Sequence, residues 1–109
     1  MKRAPMSGYV QILTTVPNKK IAEKIARMLV EKRLAACVQI IGPIASVYRW
    51  KGKSERAREY LLIAKTRSSF YPKIERAIRA LHSYEVPEII AVPITRGLPP
   101  YLRWLDEAV

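Results

Sequence analysis

Two residues of this chain carry side chains suited to binding a soft metal ion, Cys37 and His82, and the sequence has one residue of each type. A thiolate and an imidazole favour copper or zinc, although a closed structural zinc site needs four ligands. Glu59 and Glu85 offer carboxylate oxygens as further ligands. The alternatives are a buried, inert thiol in an apolar segment for Cys37 and a cation at a helix C-terminus for His82. We take Cys37 and His82 as the candidate metal ligands.

A second group of side chains is suited to a cleft between subunits. Tyr48, Trp50 and Tyr84 are aromatic, and Lys65 adds a cation. This combination suits a small anionic ligand, and packing at a subunit interface is the alternative, because interfaces are enriched in aromatic residues. Glu85 follows in a proline-containing loop and is placed to pair with a basic residue of a neighbouring subunit. We therefore predict that these five residues form a ligand cleft or an interface.

No pattern in the sequence indicates catalysis. It contains no Gly-rich phosphate-binding loop, no metalloprotease motif and no spacing typical of a Ser-His-Asp triad. The third predicted strand lacks the aromatic signature with which RNA-recognition domains bind single strands, so nucleic acid is not a favoured partner. We therefore expect a protein that binds an ion or a small ligand, and not an enzyme.

The composition is that of one folded globular domain. The 109 residues are 50% hydrophobic and 27% charged, with a net charge of +11. That charge makes an anionic partner one hypothesis, and a solvated surface is the alternative because the basic residues are widely spread. One cysteine cannot form an internal disulfide, no signal-peptide core follows the basic N-terminus, and no apolar run reaches the length of about 18 residues typical of a membrane span. We expect a cytoplasmic protein with no membrane partner.

Hydrophobic periodicity predicts four strands and three helices. They are a strand at 9–16, a helix from the Asn18 cap to about 33, strands at 36–50 and 53–66, a helix from a Ser68 or Ser69 cap to His82, a strand at 88–94 and a short helix that carries 101–105. Right-handed crossovers place the two main helices on one face of a four-stranded sheet. This order predicts an α+β fold, the ferredoxin-like sandwich (β-α-β-β-α-β-α), over residues 8–109, after a loose tail at 1–7.

The hairpin between the two main helices is unusually long. Lys51-Gly52 is its predicted turn, because Gly supplies the positive φ that a tight hairpin needs. Gly42-Pro43 indicates a bulge or an edge position in its first strand. A strand of about fifteen residues at roughly 3.3 Å each spans about 50 Å, whereas ordinary strands span about 17–20 Å. One small domain cannot cover such a ribbon, and bare edges invite pairing, so we expect other copies of the chain to bury it.

Several short motifs occur in a fixed order along the chain. They are Thr14-Thr15-Val16-Pro17, Leu34-Ala35-Ala36-Cys37-Val38, Ser46-Val47-Tyr48 with Trp50 and Gly52, Lys65-Thr66, Tyr84-Glu85-Val86-Pro87-Glu88-Ile89, Pro93-Ile94, and Tyr101-Leu102 with Trp104. In these motifs the chain resembles the CutA divalent-cation-tolerance proteins from Tyr9 to Leu105. The resemblance implies a ferredoxin-like homotrimer built through the long hairpins. It also implies tolerance to copper and other divalent ions, metal binding and no established enzymatic reaction.

The chain departs from this family at positions implicated in copper binding. Thr14 stands where some members have a cysteine, and Leu81 precedes His82 where some members have a His-His pair. The hairpin tip is often acidic in the family but carries Lys and Arg here, and like charges repel free cations. The resemblance therefore implies the trimer more strongly than it implies the copper site.

Our leading hypothesis is a cytoplasmic, homotrimeric tolerance or regulatory protein that binds copper, another divalent cation or a small ligand. The alternative is an anion- or nucleic-acid-binding trimer that uses the basic hairpin, and its affinity should fall steeply with salt. A scaffold for another protein is a third hypothesis. Because a trimer that covers long strands buries much apolar area, we also expect a thermostable protein.

Overall fold

The structure, a computed structural model, describes residues 8–109 as four strands and three helices. They are β1 (Tyr9–Val16), α1 (Lys19–Glu31), β2 (Cys37–Trp50), β3 (Lys53–Arg67), α2 (Tyr71–Leu81), β4 (Ile89–Ile94) and α3 (Pro99–Ala108). This is the predicted element order, and every strand end lies within one residue of its predicted position. The predicted tail at 1–7 lies outside the described residues.

The four strands form one antiparallel sheet in the order β2-β3-β1-β4. The central place of β3 explains why the end of that strand is apolar on both faces, since both faces of a central strand can be covered. The order and the pairing confirm the α+β, ferredoxin-like prediction. The position of β2 at one edge leaves its outer backbone groups unpaired within the subunit.

Helices α1 and α2 cover one face of the sheet and enclose the core. Alternate residues of β1 and β3 supply one side of the core, and the apolar stripes of the helices supply the other. The buried members are Val10, Ile12, Val16, Ala22, Ile25, Leu29, Ala35, Leu62, Ala64, Ile74 and Ile78. Helix α1 begins as predicted, because the Asn18 side chain accepts a hydrogen bond of 2.9 Å from the amide of Ile21.

The start of α2 differs from the sequence prediction. Ser68–Phe70 form a short 3₁₀ helix, and α2 follows at Tyr71 with no side-chain cap, so the predicted serine cap is wrong. The amide of Ser68 donates a 2.7 Å hydrogen bond to the carbonyl of Gly8, which ties this segment to the start of β1. Pro72 lies in the first turn as predicted, where no intrahelical N–H bond is lost.

The long hairpin consists of a part inside the sheet and a protruding part. Both turn residues have positive φ, 52° at Lys51 and 79° at Gly52, as a two-residue hairpin turn requires. The register shifts at Gly42-Pro43, which confirms the predicted bulge on an edge strand, and a Cβ at Gly42 would lie 2.5 Å from Cδ2 of Tyr60. Beyond this bulge, residues 44–50 and 53–59 pair only with each other, because β1 pairs with β3 from Tyr60 onward. We call this two-stranded ribbon the distal hairpin.

Helix α3 packs on the sheet face opposite α1 and α2, which we call the open face. Tyr9 and Arg67 project from this face, because they alternate with core residues of β1 and β3. The Tyr9 hydroxyl donates to Oδ2 of Asp106 at 2.7 Å, and Nε of Arg67 lies 2.8 Å from Oδ1 of Asp106. Leu105 is fully buried beneath the helix. None of the helices in the described residues is long and apolar enough to cross a membrane.

The open face remains apolar beyond α3. Ile41 pairs with Leu61 across the hairpin, while Ile90 and Val92 of β4 are on the same face through their pairing with β1. Ile41, Ile90 and Val92 are between 41% and 48% exposed. Large apolar side chains on one sheet face, next to an unpaired strand edge, are typical of a surface that contacts another protein chain.

Candidate functional site

One concave surface of the described residues is a cleft of about 720 Å³. The distal hairpin, the end of β1 and the loop after α2 form its walls. Its lining residues are Thr15, Ser46, Val47, Tyr48, Trp50, Glu59, Ser83, Tyr84, Glu85, Val86 and Glu88. The volume falls within the range of about 300–1,000 Å³ that is typical of small-molecule sites.

The register of the hairpin positions one wall of this cleft. Ser46, Tyr48 and Trp50 alternate along β2 and therefore share one face of the distal hairpin. Glu59 pairs with Ile44 next to the bulge, which puts its side chain on that same face. Two aromatic rings and a carboxylate thus face the loop that follows α2.

A hydrogen bond between Tyr84 and Glu59 joins the two walls. The Tyr84 hydroxyl donates to Oε2 of Glu59 at 2.7 Å, and Glu59 is only 6% exposed. Burial of the phenol raises the pKa of Tyr84, and the hydrogen bond to Glu59 raises that pKa further. Tyr84 therefore stays a neutral donor at physiological pH and holds the Glu59 carboxylate in one orientation.

Raising the pH should ionise Tyr84 later than an unperturbed tyrosine. Because its folded pKa lies above its unfolded value, the neutral phenol stabilises the fold below about pH 10, and this contribution is lost as the pH rises through the folded pKa. We expect an absorbance titration of tyrosinate to lose its highest-pH step in Tyr84→Phe. Identical titration curves for the two proteins would contradict this assignment.

His82 anchors the loop that carries Tyr84. Its Nε2 lies 2.7 Å from the carbonyl oxygen of Thr15, and its Nδ1 accepts from the amide of Tyr84 at 3.1 Å. The carbonyl partner requires the proton on Nε2. His82 is the C-cap residue of α2, and its amide donates to the carbonyl of Ile78. The ring, in contrast, binds β1 and its own loop rather than the last carbonyls of the helix. A metal ion that takes either ring nitrogen must break one of these two bonds.

Cys37 and His82 lie apart within one subunit. Cys37 pairs with Lys65 and, through it, with Gln11 of β1, whereas His82 binds Thr15. Thr15 lies four residue steps along β1 from Gln11, so the two candidate ligands lie more than about 10 Å apart. Within residues 8–109 no group of three or more His, Cys, Asp or Glu side chains could hold a metal ion.

Thr14, which the resemblance places where some family members have a cysteine, also lies on the opposite face of the sheet from Cys37. Thr14 is 1% exposed and lies on the core face of β1, and its hydroxyl has no hydrogen-bond partner among the described side chains. Cys37 is on the opposite face of the sheet, because its partner Lys65 alternates with the buried Ala64 and Thr66. A single subunit therefore brings neither position 14 nor His82 to Cys37.

Lys65 lies outside the cleft. Its Nζ is 6.0 Å from the centre of the Tyr101 ring, on the open face under α3. The structure thus gathers Tyr48, Trp50, Tyr84 and Glu85 around one cleft and leaves the cation of the predicted group elsewhere. The charged residues that line the cleft are Glu59, Glu85 and Glu88, so its charge is negative.

From the sequence, Glu59 is a possible oxygen ligand for a metal ion or a solvated carboxylate, but the structure buries it in the lining of the cleft. The register of the hairpin could have predicted this position. Pairing the strands outward from the Lys51-Gly52 turn, with no bulge in β3 before Glu59, puts the Glu59 side chain on the same face as Tyr48 and Trp50. An acidic residue at the start of an apolar strand segment then indicates a polar site.

Comparison with known proteins relates the whole domain to one family. A family model described as CutA1 divalent ion tolerance protein matches residues 10–108. "Protein CutA" of Mus musculus is 49% identical over 106 residues, which cover 93% of this chain and 60% of the relative. "Divalent-cation tolerance protein CutA" of Thermus thermophilus is 48% identical over 96 residues, which cover 88% of this chain and 93% of the relative. The chain thus spans about 60% of the length of the mouse relative and nearly all of the bacterial one.

Solved structures of such proteins superpose closely on the fold. CutA1 from Oryza sativa gives a TM-score of 0.91 at 41% identity, covering 94% of each chain. The divalent cation tolerance protein of Thermus thermophilus gives 0.90 at 46% identity, covering 92% of this chain and 97% of that one. With sequence, fold and nearly full coverage in agreement, the chain belongs to the CutA1 family of divalent ion tolerance proteins.

Proposed function

We propose that this protein is a homotrimer that acts in tolerance to divalent cations, copper among them, by binding an ion or a small ligand without catalysing a reaction. The observation that carries the proposal is the match of residues 10–108 to the CutA1 family, whose description is divalent ion tolerance. The Thermus relative, of which the chain covers 93%, has the same description. A regulatory role fits this mode of action, because bound ligand would report the cation level.

The exposed apolar surface supports the homotrimer. Ile41, Ile90 and Val92 remain exposed on the open face, and Val47 of the distal hairpin is 70% exposed. The distal hairpin is about seven residues long, so it protrudes roughly 23 Å beyond the four-stranded sheet. A two-stranded ribbon of this length is only marginally stable in water without packing partners. Three copies that cover one another's hairpins and open faces would bury the apolar side chains of both surfaces.

Copper binding should depend on Cys37 and His82. Since the two lie apart in one subunit, a shared site would take them from different subunits. We expect calorimetric titration with Cu²⁺ to show affinity weakened at least about tenfold, or about 1.4 kcal/mol, in Cys37→Ser and in His82→Ala. Copper binding that is the same in all three proteins would exclude both residues as ligands.

The basic residues of the distal hairpin favour a polyanion as the second candidate partner. Arg49, Lys51, Lys53, Arg56 and Arg58 are all exposed on the distal hairpin. Such a cluster attracts phosphate or sulfate groups, and counterion release makes that binding strongly salt-dependent. Retention on a heparin column at moderate salt, with an affinity that falls steeply as the salt rises further, would support this candidate, and no retention at moderate salt would argue against it.

We also propose a cytoplasmic location, supported by the single free cysteine, Cys37. The related CutA of Archaeoglobus fulgidus, whose structure is solved, is described as a periplasmic divalent cation tolerance protein, so relatives of this chain differ in the location ascribed to them. Fractionation of the native cells tests the proposal, and recovery of the protein outside the cytoplasmic fraction would contradict it.

A further inference from the structure

One face of the distal hairpin carries its arginine side chains. Directly paired residues of two antiparallel strands share one face of the ribbon. The register therefore gathers Arg49, Arg56 and Arg58 on one face, with Val47 paired to Arg56 at its centre. Neither acidic residue of the distal hairpin lies on this face, which we call the arginine face.

The opposite face of the same ribbon carries its acidic and aromatic side chains. Glu55 pairs with Tyr48, and Glu59 lies four residues further along β3 on the same side. Trp50 also lies on this side and pairs with Lys53 next to the turn. We call it the acidic face. Carboxylates beside aromatic rings suit a guanidinium group, which pairs with a carboxylate and also stacks on a ring.

The arginine face lacks an acidic partner in its own subunit. The salt bridge within residues 8–109 joins Arg67 to Asp106, and the arginines of the distal hairpin form none there. Arg49 makes one hydrogen bond of 3.4 Å, to the carbonyl of Gly52 in the turn. Val47, at the centre of this face, is 70% exposed. Arginines around an apolar centre have the composition of a protein interface.

The two faces match in spacing as well as in charge. Side chains on one face of a strand recur at every second residue, or about every 6.7 Å. Arg58 and Arg49 are two such steps apart along the ribbon, and so are Glu59 and Glu55, which gives about 13 Å in each case. Two hairpins laid face to face can therefore align their guanidinium groups with carboxylates over the same length.

We propose that the arginine face of each distal hairpin packs against the acidic face of the next subunit's hairpin, an inference that rests on the homotrimer proposed above. The contact joins two different surfaces, so it is heterologous, and a ring of such contacts closes around a three-fold axis. Charge decides which faces meet, because two arginine faces or two acidic faces would repel each other.

Each subunit thereby completes the cleft of its neighbour. The arginines of one hairpin bind Glu55 and Glu59 of the next, and Val47 packs against the rings of Tyr48 and Trp50. Glu59 is suited to this role, because it is buried and the Tyr84 hydroxyl holds its Oε2 at 2.7 Å. A carboxylate oriented in this way makes a strong hydrogen bond to a guanidinium group.

Reversing the charge of the arginine face tests this contact. Arg56→Glu combined with Arg58→Glu places like charges against each other at all three interfaces of the trimer. Sedimentation velocity in a series of urea concentrations measures dissociation, because urea is uncharged and leaves ion pairs unscreened. We expect this hairpin variant to dissociate at a urea concentration at least about 1 M below that of the unmodified trimer. Adding Glu55→Arg should recover part of the loss, because it brings a guanidinium group to the introduced carboxylates.

A matched control separates this contact from a general effect of charge. Lys19→Glu combined with Lys20→Glu makes the same change in net charge at the exposed start of α1 and should leave dissociation unchanged. The inference is overturned by unchanged dissociation of the hairpin variant, by an equal effect of the α1 variant, or by no recovery with Glu55→Arg. If the hairpin variant does not fold, Arg56→Gln with Arg58→Gln removes the charges without adding others.

Two further outcomes have distinct meanings. A hairpin variant that stays trimeric but loses its retention on heparin would overturn the inference and assign the arginine face to a polyanion. An unmodified protein of 12.5 kDa would overturn the homotrimer itself. Failure of the homotrimer and failure of this contact therefore give different results.

Discussion

Replacing Ile41 with lysine should convert the protein from an assembly into single chains of 12.5 kDa. Ile41 is 47% exposed on the open face, at the edge strand where the proposed trimer would cover it. An unpaired ammonium buried in an interface costs several kcal/mol, and a symmetric trimer contains the substitution three times. Sedimentation velocity or light scattering after gel filtration measures the mass directly.

Val30→Lys is the matched control for this change. Val30 is 44% exposed, close to the exposure of Ile41, but it lies on α1, on the far side of the core from the open face. We expect this variant to keep the mass of the unmodified protein. Equal masses for Ile41→Lys and the unmodified protein would contradict an interface at the open face.

Truncating Ile25 should destabilise the fold by about 2–5 kcal/mol, the usual range for Ile→Ala in a packed core. Ile25 is completely buried on the sheet side of α1, so its loss leaves a cavity that surrounding side chains fill only in part. Chemical denaturation at one fixed protein concentration is the measurement, because unfolding of an oligomer depends on concentration.

The exposed residue Val30 again provides the comparison, this time as Val30→Ala in the same helix. Its side chain leaves no cavity, and alanine is the better helix former, so the free energy of unfolding should change by less than about 0.5 kcal/mol. A loss as large as that for Ile25→Ala would show that α1 does not bury the face assigned to it.

The sequence predicts the fold well because its local signals agree with one another. The Asn18 cap, the Lys51-Gly52 turn and the Gly42-Pro43 bulge each have a specific backbone requirement that the structure meets. The start of α2 could not be predicted from local signals of this kind. Ser68 has the residue type of a cap, but a tertiary hydrogen bond to Gly8 fixes its backbone in a 3₁₀ helix instead.

The candidate site was less predictable, since it depends on strand register. Tyr48, Trp50, Tyr84 and Glu85 come together because the distal hairpin and the loop after α2 face each other. Lys65 lies beyond that ribbon, on the part of β3 that pairs with β1, and packs near the Tyr101 ring instead. Without Lys65, and with Glu59 included, the charge expected of the group that covers the cleft changes from negative to positive.

The mass of the unmodified protein in dilute solution is the most direct test of the central claim, that three copies cover the long hairpin. Sedimentation equilibrium should give three times 12.5 kDa across a wide range of protein concentrations. A well-folded species of 12.5 kDa would contradict this claim, because the distal hairpin and the open face would then be stable in water without a partner.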